Sequence, residues 1–600
     1  MGCCCDGCSD DADSKVRPVT STSETISSDE SDQVFVKRRS CTDLIALIIL
    51  VVVIAFYGFL ISTVVKKGDI FRIINGYDDC ANVCGRVTKF ENDPKFSCKG
   101  ADMTKLPYLM MTAGVNGIKT RTCVANCDPK VHVIFLNRCI PRQVSDSTTS
   151  LIKSMNLQNF FYEAASDLCS AWHELVYLLL IALAISLGIL IAFRYLVAYI
   201  IYLVLAGAVF SSNAGAGYLW YTWYDEKKAV KTGKIHEEDA SVTDYLIYSI
   251  LMTILAVITT LVVLVMRKRI ALVMQLFREA GKAVAFMPVI LLQPVYTYAL
   301  VGVSLIAWIF CMLWIESAGD LYVNRKNHFH YKKDTYILVA RWYNFFVFYV
   351  MCEFFLGCQH MVIAGAVSRW FFKRDKSRLS FAVIRSFCTL MRYHLGTVAF
   401  GAMVIGLVRL IRTMLSFIQN RLKKFDNQFV KGILWCCHCC LWCFECALKF
   451  LTRNAYIETA IYGCNFCTGG KKAFQALSNN ILRVAAINSV GDFVLFLGKI
   501  LVVALTIVAG VYLMQKKHGL HHPWVPIAVA AFFAFIVAHC FISIYEMVID
   551  TIFICFCEDC AKNDGVTRPY FMSRRLMEFV ENSKKALQLL EKRERSGGSQ

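Results

Sequence analysis

The chain has 600 residues, of which 56% are hydrophobic and only 18% charged, with a mean hydropathy of +0.49. Soluble chains carry about 25% charged residues, so the composition excludes a water-soluble globule and indicates an all-α polytopic membrane protein. The net charge of +19 is spread over short loops, which fits topology-setting loops and not a nucleic-acid-binding domain.

Residues 1–42 are rich in Ser, Asp and Thr and read as a disordered cytoplasmic tail. The tail begins MGCCCDGC. Myristoylation at Gly2 wants Ser or Thr at the sixth position, where Asp6 stands, so Cys3, Cys4, Cys5 and Cys8 are the lipidation candidates, with Cys41 beside the membrane. About forty polar residues precede the first apolar run, so span 1 (43–65) serves as a signal-anchor. Lys37, Arg38 and Arg39 before it predict a cytoplasmic N-terminus.

Residues 66–173 form a polar, extracellular, cysteine-rich segment. Cys80, Cys84, Cys98, Cys123, Cys127, Cys139 and Cys169 fit a disulfide framework with one thiol left over. The spacings Cys80/Cys84 and Cys123/Cys127 suit tight local bridges, although spacing leaves connectivity open. No Asn-x-Ser/Thr sequon occurs there.

The bundle, residues 174–553, supplies helices 2–10 of about ten spans. Spans 2 (174–193) and 3 (196–221) are expected to meet in a tight turn at Arg194. Gly207, Gly215 and Gly217 of span 3 offer a small-residue packing surface. Span 4 (245–266) stops at Arg267, Lys268 and Arg269, and Leu272, Leu276 and Phe277 beyond them suggest a short helix along the membrane surface. Span 5 (284–314) holds Pro288 and Pro294, a break that frees carbonyls beside Gln293 and Tyr296. Spans 6 (337–372), 7 (395–418), 8 (433–451), 9 (490–514) and 10 (524–553) follow, and 554–600 form a cytoplasmic tail. Span 8 is in tension with the positive-inside rule, because Arg421, Lys423 and Lys424 would lie outside.

Span 6 carries the candidate site. Trp342, Phe346, Tyr349 and Glu353 share one helical face, and Glu353 is a carboxylate at mid-membrane. Aromatic faces ending in a carboxylate suit a bulky, weakly hydrated organic cation. The competing reading is an interfacial aromatic belt with Glu353 bonded to a neighbouring helix. Gln293 and Tyr296 are placed beside this stripe. Glu353 is also a candidate proton-coupling group, with Glu546 and Asp550 of span 10 as rivals.

Cys437, Cys440, Cys443 and Cys446 recur every third residue, and Cys464-x-x-Cys467 follows. The spacing is that of a structural zinc site, but the apolar surroundings favour packing as small hydrophobes, with lipidation as the alternative. No metal or other cofactor is expected. The chain shows no nucleophile elbow, phosphate loop or HExxH helix, so it is not read as an enzyme.

Several long strings resemble the choline transporter-like family: MRKRIALVMQLFREAGKA (266–283), CEFFLGCQHMVIAGAV (352–367), RYHLGTVAFG (392–401), CCLWCFECALKF (439–450) and RNAYIETAIYGCNFCTGGKKAF (453–474). GYDDCANVCG (76–85) and CVANC (123–127) match more loosely. The resemblance implies cytoplasmic termini, about ten spans and a cysteine-bridged loop after the first. It implies sodium-independent movement of choline, and of ethanolamine, across plasma and mitochondrial membranes in exchange for protons, feeding phosphatidylcholine synthesis. Choline and related cations and membrane lipids are then the partners. A membrane scaffold or receptor using the bridged ectodomain is the alternative, and a cation channel a third.

Overall fold

The computed structural model describes residues 39–580 except 88–100, 114–118, 129–131, 136, 142–163, 165, 233–241, 324–328, 377–380, 423–427, 516–520 and 564–567. The lipidation candidates Cys3, Cys4, Cys5 and Cys8, like Cys98, lie outside the described residues.

Helix α1 (Leu44–Lys67) is an unbroken apolar run closed by Lys66 and Lys67. A one-turn helix α2 (Phe71–Ile74) leads into a small sheet of β1 (Tyr108–Ala113), β2 (Lys119–Val124), β3 (His132–Phe135) and β4 (Arg138–Pro141), in the order β2-β1-β4-β3. Two disulfides tie this segment, Cys84–Cys123 and Cys127–Cys139, and Cys80 is also bridged. The bridges join different strands and loops, so the expected local pairs Cys80/Cys84 and Cys123/Cys127 do not form. Among the described cysteines of this segment, Cys169 is free.

The bundle follows with α3 (Trp172–Lys231), α4 (Val242–Phe286), a 3-10 turn at Pro288–Leu292, α5 (Gln293–Ser317), the hairpin β5 (Asp320–Val323) and β6 (Phe329–Lys332), and α6 (Thr335–Phe371). Next come α7 (Ala382–Thr389), a π-turn at Leu390–His394, α8 (Leu395–Leu422), α9 (Gln428–Tyr462), α10 (Phe466–Ser478) and α11 (Ile481–Ala486). A second π-turn at Ile487–Gly491, α12 (Asp492–Gln515), α13 (Trp524–Lys562) and the single turn α14 (Arg574–Met577) complete the described chain. Among the described residues nine helices are long and apolar enough to cross a membrane, and Lys431–Tyr462 is one of them.

Three expectations change. No turn breaks the chain at Arg194, because α3 runs straight through it. Residues 189–205 hold no proline or glycine, and a charge marks depth without supplying a helix breaker. The Arg194 guanidinium lies over the Tyr195 ring at 5.1 Å. For the same reason α4 continues through residues 267–269, and Leu272, Leu276 and Phe277 are buried in the main core and not laid along a surface. The glycines of span 3 are little used: a side chain at Gly207 or Gly217 would meet open space. Close approach occurs at Gly396 instead, where a Cβ would lie 2.2 Å from the Asp43 carbonyl oxygen, and at Gly401, 2.3 Å from Tyr456 Oη.

The two ends of the bundle are clamped differently. Where α1 begins, Asp43 Oδ2 accepts from Thr397 Oγ1 (2.7 Å) and from the Phe466 backbone N–H (2.8 Å). Arg39 donates to the Ala460 carbonyl at 2.8 Å, capping the end of α9. At the opposite end the Arg72 guanidinium covers the Tyr331 ring at 4.0 Å and donates to the Lys67 carbonyl, tying the bridged segment to the β5–β6 hairpin. Asp167 accepts the backbone N–H groups of His522 and His521 at 2.7 and 3.1 Å, pinning the start of α3 to that of α13.

Candidate functional site

The four residues of the α6 stripe do share one face, and that face meets α8. Trp342 packs edge-on against Phe417 with ring centroids 5.5 Å apart. Tyr349 Oη and Thr413 Oγ1 are 3.0 Å apart, and Arg409 Nη2 lies 2.7 Å from Glu353 Oε1. Phe417, Thr413 and Arg409 recur every fourth residue on α8, so the two helices run antiparallel and zip together. Phe346, at the edge of the stripe, packs where Leu50 of α1 meets Val350 and Ala399.

Glu353 belongs to a charged layer. Arg409 Nε donates to Glu445 Oε1 at 2.8 Å, and Glu445 also holds Lys449 (2.6 Å) and Arg412 (3.1 Å). Glu445 is 2% exposed, so its charge is tolerable only because three cations surround it. Glu353 therefore has a helix-to-helix partner, as the competing sequence reading anticipated.

Gln293 and Tyr296 sit at the predicted break, which takes the form of the 3-10 turn before α5, with Pro294 in the first turn of that helix. Gln293 is buried and accepts a hydrogen bond from Tyr296. Tyr296 interacts with Cys358 of α6. Cys358 is five residues past Glu353, about 140° round the helix, so this pair and the stripe approach α6 from different sides. The α5 face of α6 carries another aromatic set that the spacing rule passed over: Trp308 stacks on Phe348 at 5.1 Å and tilts against Phe345 at 5.3 Å.

Glu546 and Asp550, one turn apart on α13, form a second charged layer around Arg453 of α9. Arg453 donates to Glu546, and its Nη2 lies 2.6 Å from Asp550 Oδ2. Asp492 acts on the same guanidinium, and Glu546 in turn acts on His360 of α6. Sequence reasoning singled out the two carboxylates but missed Arg453; their i, i+4 spacing on an apolar helix was the available signal that a cation must face them.

The thiols at 436, 437, 439, 440, 443 and 446 are free and exposed along α9. They are not packed inside the protein: among the described side chains of α9 the buried ones run from Glu445 to Ile461. Spacing along a helix cannot say which end of it is covered.

The plasma-membrane choline transporter family matches residues 250–561, a range holding α5, α6, α8, α9, α12 and α13. Choline transporter-like protein 1 of Mus musculus is 34% identical over 92% of this chain and 93% of its own. This chain belongs to the choline transporter-like family. The family's protein 1 of Torpedo marmorata is 32% identical over 92% of this chain and 94% of its own, and protein 2 of Dictyostelium discoideum is 29% identical over 91% and 95%. Both charged layers and the aromatic stripe fall inside the matched region.

Proposed function

We propose that this chain carries choline across the plasma membrane, and ethanolamine with it, independently of sodium and in exchange for protons. In the cell this would supply phosphatidylcholine synthesis. The observation that carries the reading is the aromatic stripe of α6 ending in the carboxylate of Glu353, in a member of a family named for choline transport. Choline has no N–H donor, so its head group is held by ring faces and by charge, and Trp342, Phe346, Tyr349 and Glu353 offer both. Tyr296 and Gln293 would receive the cation on the other side of α6.

For Glu353 to take a cation, Arg409 must let go, and Glu445 stands ready to keep it. A carboxylate so released can hold a cation or a proton but not both, which is the competition an antiporter requires. Glu546 and Asp550 are the alternative coupling carboxylates. The termini would face the cytoplasm, acyl chains on Cys3, Cys4, Cys5 or Cys8 would hold the tail at the inner leaflet, and part of the population would reside in the mitochondrial outer membrane.

The test is labelled-choline uptake by cells expressing wild type or Glu353→Gln, with surface expression matched. Saturable wild-type uptake whose dependence on pH is lost in Glu353→Gln supports the reading. Uptake by the variant with unchanged pH dependence moves the coupling to α13. No saturable uptake by wild type would make the protein a scaffold or receptor.

A further inference from the structure

The stripe leaves the second charged layer without a role. Along α9 it lies eight residues beyond Glu445, about 12 Å closer to the end of the bundle where α1 begins. Arg453 faces Glu546 and Asp550 there, and Asp492 and Lys499 belong to the same cluster. Asp550 is 8% exposed. Arg453 touches its Oδ2 without donating an aligned hydrogen bond to it, so this contact is charge without a directed bond.

A cavity of about 10 Å³, room for about one water, lies beside Asp550, lined also by Asn454, Asn488, Ile487, Phe450 and Phe553. Ligand sites typically measure about 300–1,000 Å³, so a substrate fits there only once the guanidinium and the neighbouring side chains have moved. Ile487 and Asn488 belong to the π-turn at Ile487–Gly491. Such turns are frequent at functional sites, because the extra residue widens the backbone locally.

We infer that Arg453 is a built-in stand-in for a transported cation, and that Asp550 with Glu546 forms a second binding position for a small quaternary ammonium ion. The inference rests on the reading of the chain as an organic-cation transporter. A quaternary ammonium has no N–H and binds through charge and apolar contact alone, which is how Asp550 already holds Arg453. When the cation enters, Arg453 swings aside and the pocket gains the guanidinium's volume, with Phe450 and Phe553 as its apolar walls. When the cation leaves, Arg453 returns and the carboxylates are never left bare. The two layers are then successive stations on one route, each guarded by its own arginine.

Full-length protein in lipid nanodiscs is titrated with labelled choline and with tetramethylammonium, as wild type, Arg453→Gln and Asp550→Asn. Removing the competing guanidinium should tighten binding of both cations about tenfold, and Asp550→Asn should weaken it about tenfold. If Arg453→Gln is too unstable to purify, its melting in membrane extract is followed with and without tetramethylammonium. A larger rise in Tm than wild type shows supports the inference, and an equal or smaller rise overturns it, as do unchanged affinities in both purified variants. Choline uptake by wild type with unchanged affinities in the variants would sink this inference and spare the transport reading. Tighter tetramethylammonium binding by Arg453→Gln with no choline uptake by wild type would do the reverse.

Discussion

Arg409 reaches Glu353 with Nη2 at 2.7 Å and Glu445 with Nε at 2.8 Å, so a single guanidinium joins α6, α8 and α9 in the middle of the bundle. Removing Arg409 alone leaves Glu353 without its ion-pair partner in a site of low dielectric, while Glu445 keeps Lys449 and Arg412. Arg409→Gln should cost about 3 kcal/mol of stability. The double variant Arg409→Gln with Glu353→Gln should recover part of that loss, because the stranded charge is gone. Melting temperatures of the four proteins form the cycle, and strictly additive shifts would show that the pair is uncoupled.

Gly396 admits the backbone of Asp43 and Thr42 where no side chain would fit. A Cβ there meets backbone atoms, which cannot rotate away, so Gly396→Ala should lower stability by about 1–3 kcal/mol. Gly217→Ala, which meets open space, is the control and should melt no lower than wild type.

The bridges Cys84–Cys123 and Cys127–Cys139 close loops of 39 and 12 residues. Chain entropy assigns loops of those lengths about 3–4 kcal/mol each. Cys84→Ser should therefore loosen the bridged segment, read as faster proteolysis between residues 80 and 140 with the bundle intact. Peptide mapping of the wild type without reductant should recover both linked pairs, and recovery of Cys84 linked to Cys80 instead would contradict the assignment.

Burial alone would lift the Asp167 carboxyl, but the backbone N–H groups of His522 and His521 outweigh it and hold it below the usual carboxylate range. A group depressed in the folded state stabilises fully above its unfolded value, about 3.9, and that stabilisation is lost as pH falls through the lower folded value. Wild type should thus lose stability below about pH 4. Asp167→Asn should be less stable at neutral pH by about 1.5–3 kcal/mol and should lack the acid step. A variant that melts like wild type at both pH values would refute the role of this carboxylate.

What the sequence made legible was whatever is written along a single helix. The apolar runs located the crossing segments, Pro288 and Pro294 located the break before α5, and the i, i+4 rule located the face shared by Trp342, Phe346, Tyr349 and Glu353. Partners across helices were not legible. Nothing in the spacing of the stripe says that Arg409, Thr413 and Phe417 of α8 face it, because a helical face has a direction but no address. Arg194 and Arg267 were misread for a related reason: charge reports depth, and only proline, glycine or a cap reports the end of a helix. Cysteine spacing failed similarly, since Cys123 lies on β2 and its partner Cys84 in the loop after α2, 39 residues away, and only the fold brings them together.

Choline movement through the bundle that holds the two charged layers should survive purification. Purified protein in proteoliposomes, given labelled choline with sodium and pH gradients set independently, tests it most directly. The account predicts saturable uptake that ignores sodium and is driven by an outward proton gradient, and that falls about tenfold at low choline in Glu353→Gln. Uptake no greater than that of protein-free liposomes would contradict it.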